Sequence, residues 1–69
     1  MPIHVNTIRT LRLRLGITQA EAARRAGMKY ASQWSEVERG DKPDPQLSTA
    51  ERIAEVLGVT VDALTQKAE

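Results

Sequence analysis

"ITQAEAARRAGMKYASQWSEVERG", residues 17–40, is the segment that decides the fold of this chain. Thr18, followed three residues later by Glu21, forms a capping box, in which each side chain satisfies a backbone N–H of the other at the start of a helix. Glycine commonly follows the last turn of a helix, so Gly27 and Gly40 mark two helix ends. The segment therefore predicts two short helices joined by a turn of a few residues.

The second of these helices is predicted to have one apolar and one polar face. Tyr30, Trp34 and Val37 follow one another at spacings of four and three residues, which indicates a buried face. A Trp side chain stacked on a base is the alternative, but the helical phase shared with Val37 favours the core. The other face is polar and carries Lys29, Ser32, Gln33 and Glu36.

The short turn between the two helices has a geometric consequence. Helices joined so tightly cross at a steep angle, as in a helix-turn-helix unit. Such a unit places its second helix in the major groove of DNA and its first helix across the phosphate backbone. Short polar side chains at the start of the second helix suit contact with bases, whereas a row of long cations would bind phosphates without discriminating sequence. Residues 31–33, Ala-Ser-Gln, fit this requirement.

The flanking residues predict three more helices and no strand, because apolar side chains recur at helical spacing. We expect one compact all-α domain over residues 1–69, with helices at about 7–15, 18–26, 30–38, 47–57 and 61–65. Asn6 is the expected cap of the first helix, and Leu15 is expected on its buried face. The fourth helix starts either near Gln46 or at a second possible capping box, residues 48–51. The predicted core residues are Ile8, Leu11, Ile17, Trp34, Val37, Leu47, Ile53 and Leu57.

The charge of the chain is small in total but unevenly distributed. Residues 1–42 carry eight basic and four acidic side chains, a net charge of +4, whereas residues 43–69 carry two and five, a net charge of −3. This asymmetry suggests that the first part meets an anion such as nucleic acid. An uneven but merely solvated surface is the alternative reading.

Several classes of function find no support in the sequence. The chain has no Cys, so a disulfide and a thiolate metal site are excluded, and we expect a reducing, cytoplasmic environment. No apolar run approaches the length of about 20 residues that spans a bilayer, so no membrane partner is expected. The lone His4 has no second ligand in range, and no catalytic set or phosphate-binding glycine loop is present. We therefore expect no enzyme activity, no metal and no cofactor.

Three segments together resemble the lambda-repressor/Cro-like helix-turn-helix family, also called the XRE type. They are IRTLRLRLGITQAEAARRAGM (8–28), WSEVERG (34–40) and PQLSTAERIAEVLGVTVDAL (45–64). The resemblance implies a five-helix lambda-repressor-like domain that binds double-stranded DNA in prokaryotes or phages. It also implies a transcriptional regulator, with a repressor expected, that acts as a homodimer through contacts around Val59 and beyond.

The resemblance also assigns roles to individual residues. Base contacts are expected from Tyr30, Ala31, Ser32, Gln33 and Glu36. Phosphate contacts are expected from Gln19, Lys29, Arg39 and Lys42. Tyr30 either reads a base or packs on the second helix with its hydroxyl reaching a phosphate. Glu36 either accepts from a cytosine amino group or repels phosphate.

Arg12 and Glu38 stand where this family often has a buried ion pair, which would tie the first helix to the end of the third. The sequence supports the pairing, because each charge would otherwise lie near an apolar face. A solvated surface pair, which stabilises little, is the alternative.

The sequence departs from the family pattern at the start of the third helix. The turn is one residue longer than usual, and Tyr30 falls where a Ser or Thr cap is expected, so the first residue of the helix is uncertain by one. Ala22, Ala26 and Ala50 replace large apolar residues, and a larger Trp34 together with Met28 would fill the space they leave.

A protein-interaction module is the competing class of function. Small domains of this family also act as antitoxins that bind a toxin, or as adaptors that touch no DNA. The basic first part of the chain argues against a pure adaptor, because an adaptor needs no affinity for phosphate.

Overall fold

The computed structural model describes residues 3–41 and 45–66, which contain five α-helices. They are α1 (Val5–Arg14), α2 (Gln19–Arg25), α3 (Ala31–Glu38), α4 (Leu47–Leu57) and α5 (Val61–Leu64). The described residues contain no strand, and the predicted all-α fold of five helices is confirmed. Within the same residues, no helix has the length and apolar character needed to cross a bilayer.

Helix α1 begins two residues earlier than predicted, and the expectation that Asn6 caps it is wrong. His4 is the N-cap, without a side-chain cap, and Asn6 lies inside the helix. The His4 N–H donates to the Leu64 carbonyl (2.8 Å), and the Thr7 hydroxyl donates to the Gln66 carbonyl (2.5 Å). Contacts with the end of α5 therefore fix the start of α1, and local capping chemistry does not reveal them.

Helix α2 has half of its predicted capping box. The Thr18 hydroxyl accepts from the Glu21 N–H (3.1 Å). The Glu21 carboxylate, however, turns to the guanidinium groups of Arg24 and Arg25 one turn further on, because charged donors attract it more than a neutral amide does. The hydrogen bond from Arg24 lowers the pKa of Glu21 below its ordinary value.

The turn between α2 and α3 occupies residues 26–30, and its second residue is a left-handed glycine. Gly27 has a φ of +74°, a conformation that costs glycine little because it has no Cβ. The N–H groups of Gly27 and Met28 donate to the carbonyls of Arg24 (3.1 Å) and Ala23 (2.9 Å), which closes the end of α2. After the turn, α3 packs directly against α2.

Four helices contribute the largest fully buried side chains, which are Trp34, Ile8, Ile53 and Leu64. Alanines from α2, its C-cap and α4 are also buried, namely Ala22, Ala23, Ala26, Ala50 and Ala54. Val37 and Leu57 are also buried, and Leu11, Ile17 and Met28 pack at the edge of the core. One large aromatic residue thus lies in a core with many alanines, as the volume-balance hypothesis requires.

Three apolar residues expected in the interior lie outside it. Leu47 was predicted to be a core residue, but it is 58% exposed. It is the first residue of α4, and helical side chains lean towards the N-terminus, so its side chain projects past the packed part of the helix. Leu15 is exposed because α1 has ended before it. Tyr30 is exposed because it precedes α3 with an extended backbone and so leaves the helical phase of Trp34.

Candidate nucleic-acid interface

The two faces of α3 differ sharply in exposure. Trp34 is fully buried and Val37 is buried, whereas Ala31, Ser32 and Gln33 are exposed in the first turn. Because α3 begins at Ala31, the uncertainty about its first residue is removed: residues 31–33 occupy the first three helical positions. The helix therefore offers solvent a short polar edge at its N-terminal end, and its opposite edge holds it in the core.

The N-terminal end of α3 is closed by Gln33, because Tyr30 at the N-cap has no side-chain acceptor placed to do so. The Gln33 side-chain oxygen, Oε1, accepts from the Tyr30 N–H (3.0 Å), and the Gln33 N–H donates to the Tyr30 carbonyl (3.1 Å). This contact was not anticipated from the sequence. A Gln at the third helical position is a capping-box signal, but the Tyr at the cap concealed it.

The Tyr30 side chain lies outside the packing of α2 and α3. It is 60% exposed, so the alternative in which its ring packs on α2 is not supported. The Lys29 ammonium lies 5.6 Å from the centre of the Tyr30 ring, within the range of a cation–π contact. A cation and an aromatic ring, Lys29 and Tyr30, therefore lie together just before the exposed first turn of α3.

Arg39 stands at the opposite end of α3, where it is the C-cap. Its guanidinium donates to Asp41 Oδ2 from Nε (3.2 Å) and Nη2 (2.9 Å). Both side chains are largely exposed, and such pairs contribute only about 0–1 kcal/mol. A phosphate can therefore compete for this guanidinium. Lys42, the other expected phosphate contact beyond α3, lies outside the described residues.

Glu36 lies in the second half of α3 and is partly buried. It is less exposed than residues 31–33. A base contact from Glu36 would therefore require the bases to approach the middle of α3 and not only its first turn.

A buried carboxylate lies behind the exposed edge and connects three elements. Arg12 Nε lies 2.6 Å from Glu38 Oε2, and Arg12 Nη2 lies 3.1 Å from Glu38 Oε1. Gln19 Nε2 donates to Oε1 (3.2 Å), and Trp34 Nε1 donates to Oε2. Arg12 also donates from Nη1 to the Ile17 carbonyl (2.9 Å). The side chains of Arg12 and Glu38 are only 10% and 4% exposed, so the pair is buried and not solvated.

We call Arg12, Gln19, Trp34 and Glu38 the Glu38 cluster. The resemblance implied only the Arg12–Glu38 contact in it; Gln19 was expected on a phosphate and Trp34 was expected as an apolar filler. The signal for Trp34 was its spacing of four residues from Glu38, which places both on one side of a helix. The contact from Gln19 depends on how α2 packs against α3, and no local pattern reveals it.

The ionisation of Glu38 is set by two opposing effects. Burial raises the pKa of Glu38, but hydrogen bonds from Arg12, Trp34 and Gln19 lower it by more, and the net result is a pKa below the ordinary 4.5. The carboxylate is therefore charged near neutral pH, and the start of α2 and the end of α1 are held against α3.

The lowered pKa predicts a loss of stability in acid. A carboxyl group whose pKa is lower in the folded than in the unfolded chain stabilises the fold fully above its unfolded pKa, near 4.5, and loses this contribution as pH falls through the folded pKa. We expect the free energy of unfolding, measured by urea denaturation between pH 7 and pH 3, to fall at the acidic end. In Glu38→Gln this fall is expected to be smaller, whereas in Glu51→Gln, an exposed position of α4, it is expected to match the wild type. An identical acid dependence in Glu38→Gln and wild type would contradict the assignment.

Metal ligands are not grouped anywhere in residues 3–41 and 45–66. No set of three His, Cys, Asp or Glu side chains in this part of the chain could hold an ion. His4 is exposed at the start of α1.

The comparison with known families agrees with this geometry. A family model described as a helix-turn-helix domain matches residues 5–67, a segment that contains all five helices. No curated protein and no solved structure matches the chain.

Proposed function

The chain belongs to the helix-turn-helix domain family, and from this premise we propose that it is a sequence-specific regulator of transcription that reads double-stranded DNA with α3. The observation that carries the proposal is the exposure of residues 31–33 on the first turn of α3, while Trp34 and Val37 on the other side are buried. A major groove about 12 Å wide admits one helix, and an edge of short polar side chains can approach base edges in it.

The proposed contacts fall into two groups. Base contacts come from the start of α3 and its exposed side, namely Tyr30, Ala31, Ser32, Gln33 and Glu36. Phosphate contacts come from the two ends of the helix and from the start of α2, namely Gln19, Lys29, Arg39 and Lys42. Gln19 is anchored by its hydrogen bond to Glu38, and a side chain held in this way loses less entropy when it also meets a phosphate.

A repressor is the regulator that this architecture suits best. The proposed contacts combine the exposed edge of α3 with cations at both of its ends, Lys29 and Arg39, and a protein that binds DNA in this way regulates by occupying a promoter. The competing function, a module that binds a toxin or another protein, needs no phosphate contacts, so its affinity for random duplex would vary little with salt. The salt dependence of binding therefore separates the two functions.

A pair of substitutions tests the division between base and phosphate contacts. Arg39→Ala is expected to weaken binding to all duplexes alike and to reduce the slope of log K against log salt by about 0.9, the value for one phosphate contact. Gln33→Ala is expected to relax the preference between sequences and to leave the salt slope unchanged. Fluorescence anisotropy on a selected and a random duplex, each at several salt concentrations, measures both quantities.

Arg52→Ala serves as the matched control, because it removes the same charge from an exposed position of α4, outside the proposed interface. It is expected to leave the salt slope near the wild-type value. If Gln33→Ala and Arg39→Ala weakened every duplex equally, the assignment of α3 as the reading helix would be wrong. A binding constant that did not change with salt would instead favour the protein-interaction module.

We further propose that the regulator acts as a homodimer on a site of approximate two-fold symmetry. A single domain with a net charge of +1 gains little from phosphates, so two basic surfaces on one site bind far better than one. Half-sites are expected about 34–36 Å apart. Inserting five base pairs between them, half a helical turn, is expected to abolish cooperative binding in a footprinting assay, whereas inserting ten is expected to restore part of it.

A further inference from the structure

We propose that Gln33 contacts DNA chiefly through its NH₂ donor, and that it therefore favours guanine or thymine over cytosine and lacks the usual preference of Gln for adenine. This inference rests on the proposed function, because it concerns the base that the same reading helix prefers. It follows from the side-chain oxygen of Gln33, which already accepts a hydrogen bond from the backbone N–H of Tyr30.

The Gln33 carboxamide is oriented by the start of α3. Its Oε1 accepts from the Tyr30 N–H at 3.0 Å, while its own N–H donates to the Tyr30 carbonyl at 3.1 Å. Turning the carboxamide over would point its NH₂ group at the N–H of Tyr30, which brings two donors together and leaves that N–H without an acceptor. The orientation with oxygen towards the backbone is therefore the favourable one: Tyr30 takes one lone pair of Oε1, and both N–H groups of Nε2 stay available to a base.

This orientation matters because the usual pairing of Gln with adenine needs both ends of the carboxamide. Adenine presents an acceptor, N7, beside a donor, N6–H₂, and a bidentate Gln meets them with Nε2 and Oε1 together. With Oε1 turned towards the Tyr30 N–H, the bidentate pairing would have to share that oxygen between Tyr30 and adenine N6, so its advantage is reduced. Guanine presents two acceptors, O6 and N7, thymine presents O4, and cytosine presents a donor. A side chain that contacts DNA chiefly through its donor therefore favours guanine or thymine and disfavours cytosine.

The chain offers a matched substitution that separates the capping role from the reading role. Glu at position 33 is isosteric with Gln and retains an oxygen for the Tyr30 N–H, but it replaces the NH₂ donor by an acceptor. Gln33→Glu should keep the cap and reverse the preference, favouring cytosine, whose amino group donates to a carboxylate. Gln33→Ala removes the cap and the reader together. Position 33 is exposed, so both variants are expected to fold, which circular dichroism verifies.

The test is a selection from randomised duplex DNA with wild type, Gln33→Glu and Gln33→Ala, followed by binding measurements on the selected sites. At one base position the wild type is expected to prefer guanine or thymine over cytosine by about fivefold, the lower end of what a good base contact gives. Gln33→Glu is expected to prefer cytosine at that position, and Gln33→Ala is expected to show no preference there. A wild-type preference for adenine that disappears in Gln33→Ala overturns the donor role and leaves the proposed function intact. Absence of any selective binding by the wild type overturns both.

A second measurement tests the cap without DNA. Hydrogen exchange of the Tyr30 amide, followed by NMR in the free protein, is expected to be faster in Gln33→Ala than in wild type and to remain slow in Gln33→Glu. Equal exchange rates in all three proteins would show that Oε1 is free to meet a base, and the proposal would fail on that result alone.

Discussion

Replacing Trp34 by Ala is expected to lower the free energy of unfolding by about 3–5 kcal/mol. Trp34 is fully buried, and the alanines of the same core have only a Cβ methyl group, which cannot extend into the cavity that the substitution leaves. The substitution also removes the indole N–H that donates to the buried carboxylate of Glu38. Urea denaturation followed by circular dichroism measures the change, because this variant has lost the chain's single Trp and with it the usual fluorescent reporter.

The size of this effect has to be compared with the stability of so small a domain. A chain of 69 residues is expected to have a total stability of roughly 3–10 kcal/mol, so Trp34→Ala approaches the limit of folding and is best measured at low temperature. Trp34→Phe keeps part of the ring volume and loses the donor, so its expected loss is smaller than that of Trp34→Ala, about 2 kcal/mol. Leu13→Ala, at an exposed site of α1, is expected to change stability by about 0.5 kcal/mol or less. A loss below about 1 kcal/mol in Trp34→Ala would mean that Trp34 does not fill the space beside the alanines.

The parts of the fold that could be predicted from the sequence are those set by local chemistry. Thr18 and the glycines at positions 27 and 40 place the ends of α2 and α3 because capping and left-handed turns involve only neighbouring residues. The start of α1 could not be predicted, since His4 and Thr7 bond to residues about 60 positions away at the end of α5. Leu47 was misassigned because periodicity places a residue on a face but does not show where along the helix the packing begins.

In the candidate interface, too, features set by neighbouring residues could be predicted, whereas features set by packing between helices could not. The polar edge at residues 31–33 follows from helical phase alone, and the exposure of these residues agrees with it. The hydrogen bond from the Tyr30 N–H to the Gln33 oxygen depends on which residue is the N-cap of α3. The sequence left that position uncertain by one residue because the turn before α3 is longer than usual. The fourfold hydrogen bonding of Glu38 depends on the packing of α1, α2 and α3 together, of which the family resemblance supplied a single contact.

Removing the carboxylate of Glu38 is expected to have the second large effect. In Glu38→Ala the guanidinium of Arg12, only 10% exposed, keeps the Ile17 carbonyl but loses its counter-ion, and the Trp34 N–H loses its acceptor. An uncompensated buried charge of this kind costs about 3–5 kcal/mol. The free energy of unfolding from urea titration at pH 7, where the carboxylate is charged in the wild type, measures the loss.

This loss is expected because Glu38→Ala leaves the Arg12 guanidinium buried without a counter-ion, and not because the ion pair itself is strong. A double substitution that removes both charges distinguishes the two explanations. Replacing a buried pair by apolar side chains of similar size is often close to neutral. The double variant Arg12→Met/Glu38→Met is therefore expected to lose clearly less free energy of unfolding than the sum of the losses in Arg12→Met and in Glu38→Met. Glu21→Ala, which removes a partly exposed carboxylate also paired with arginines, is expected to cost far less than Glu38→Ala. If both single substitutions cost under about 1 kcal/mol, or if their effects simply added, the Glu38 cluster would not be what holds α1 and α2 against the reading helix.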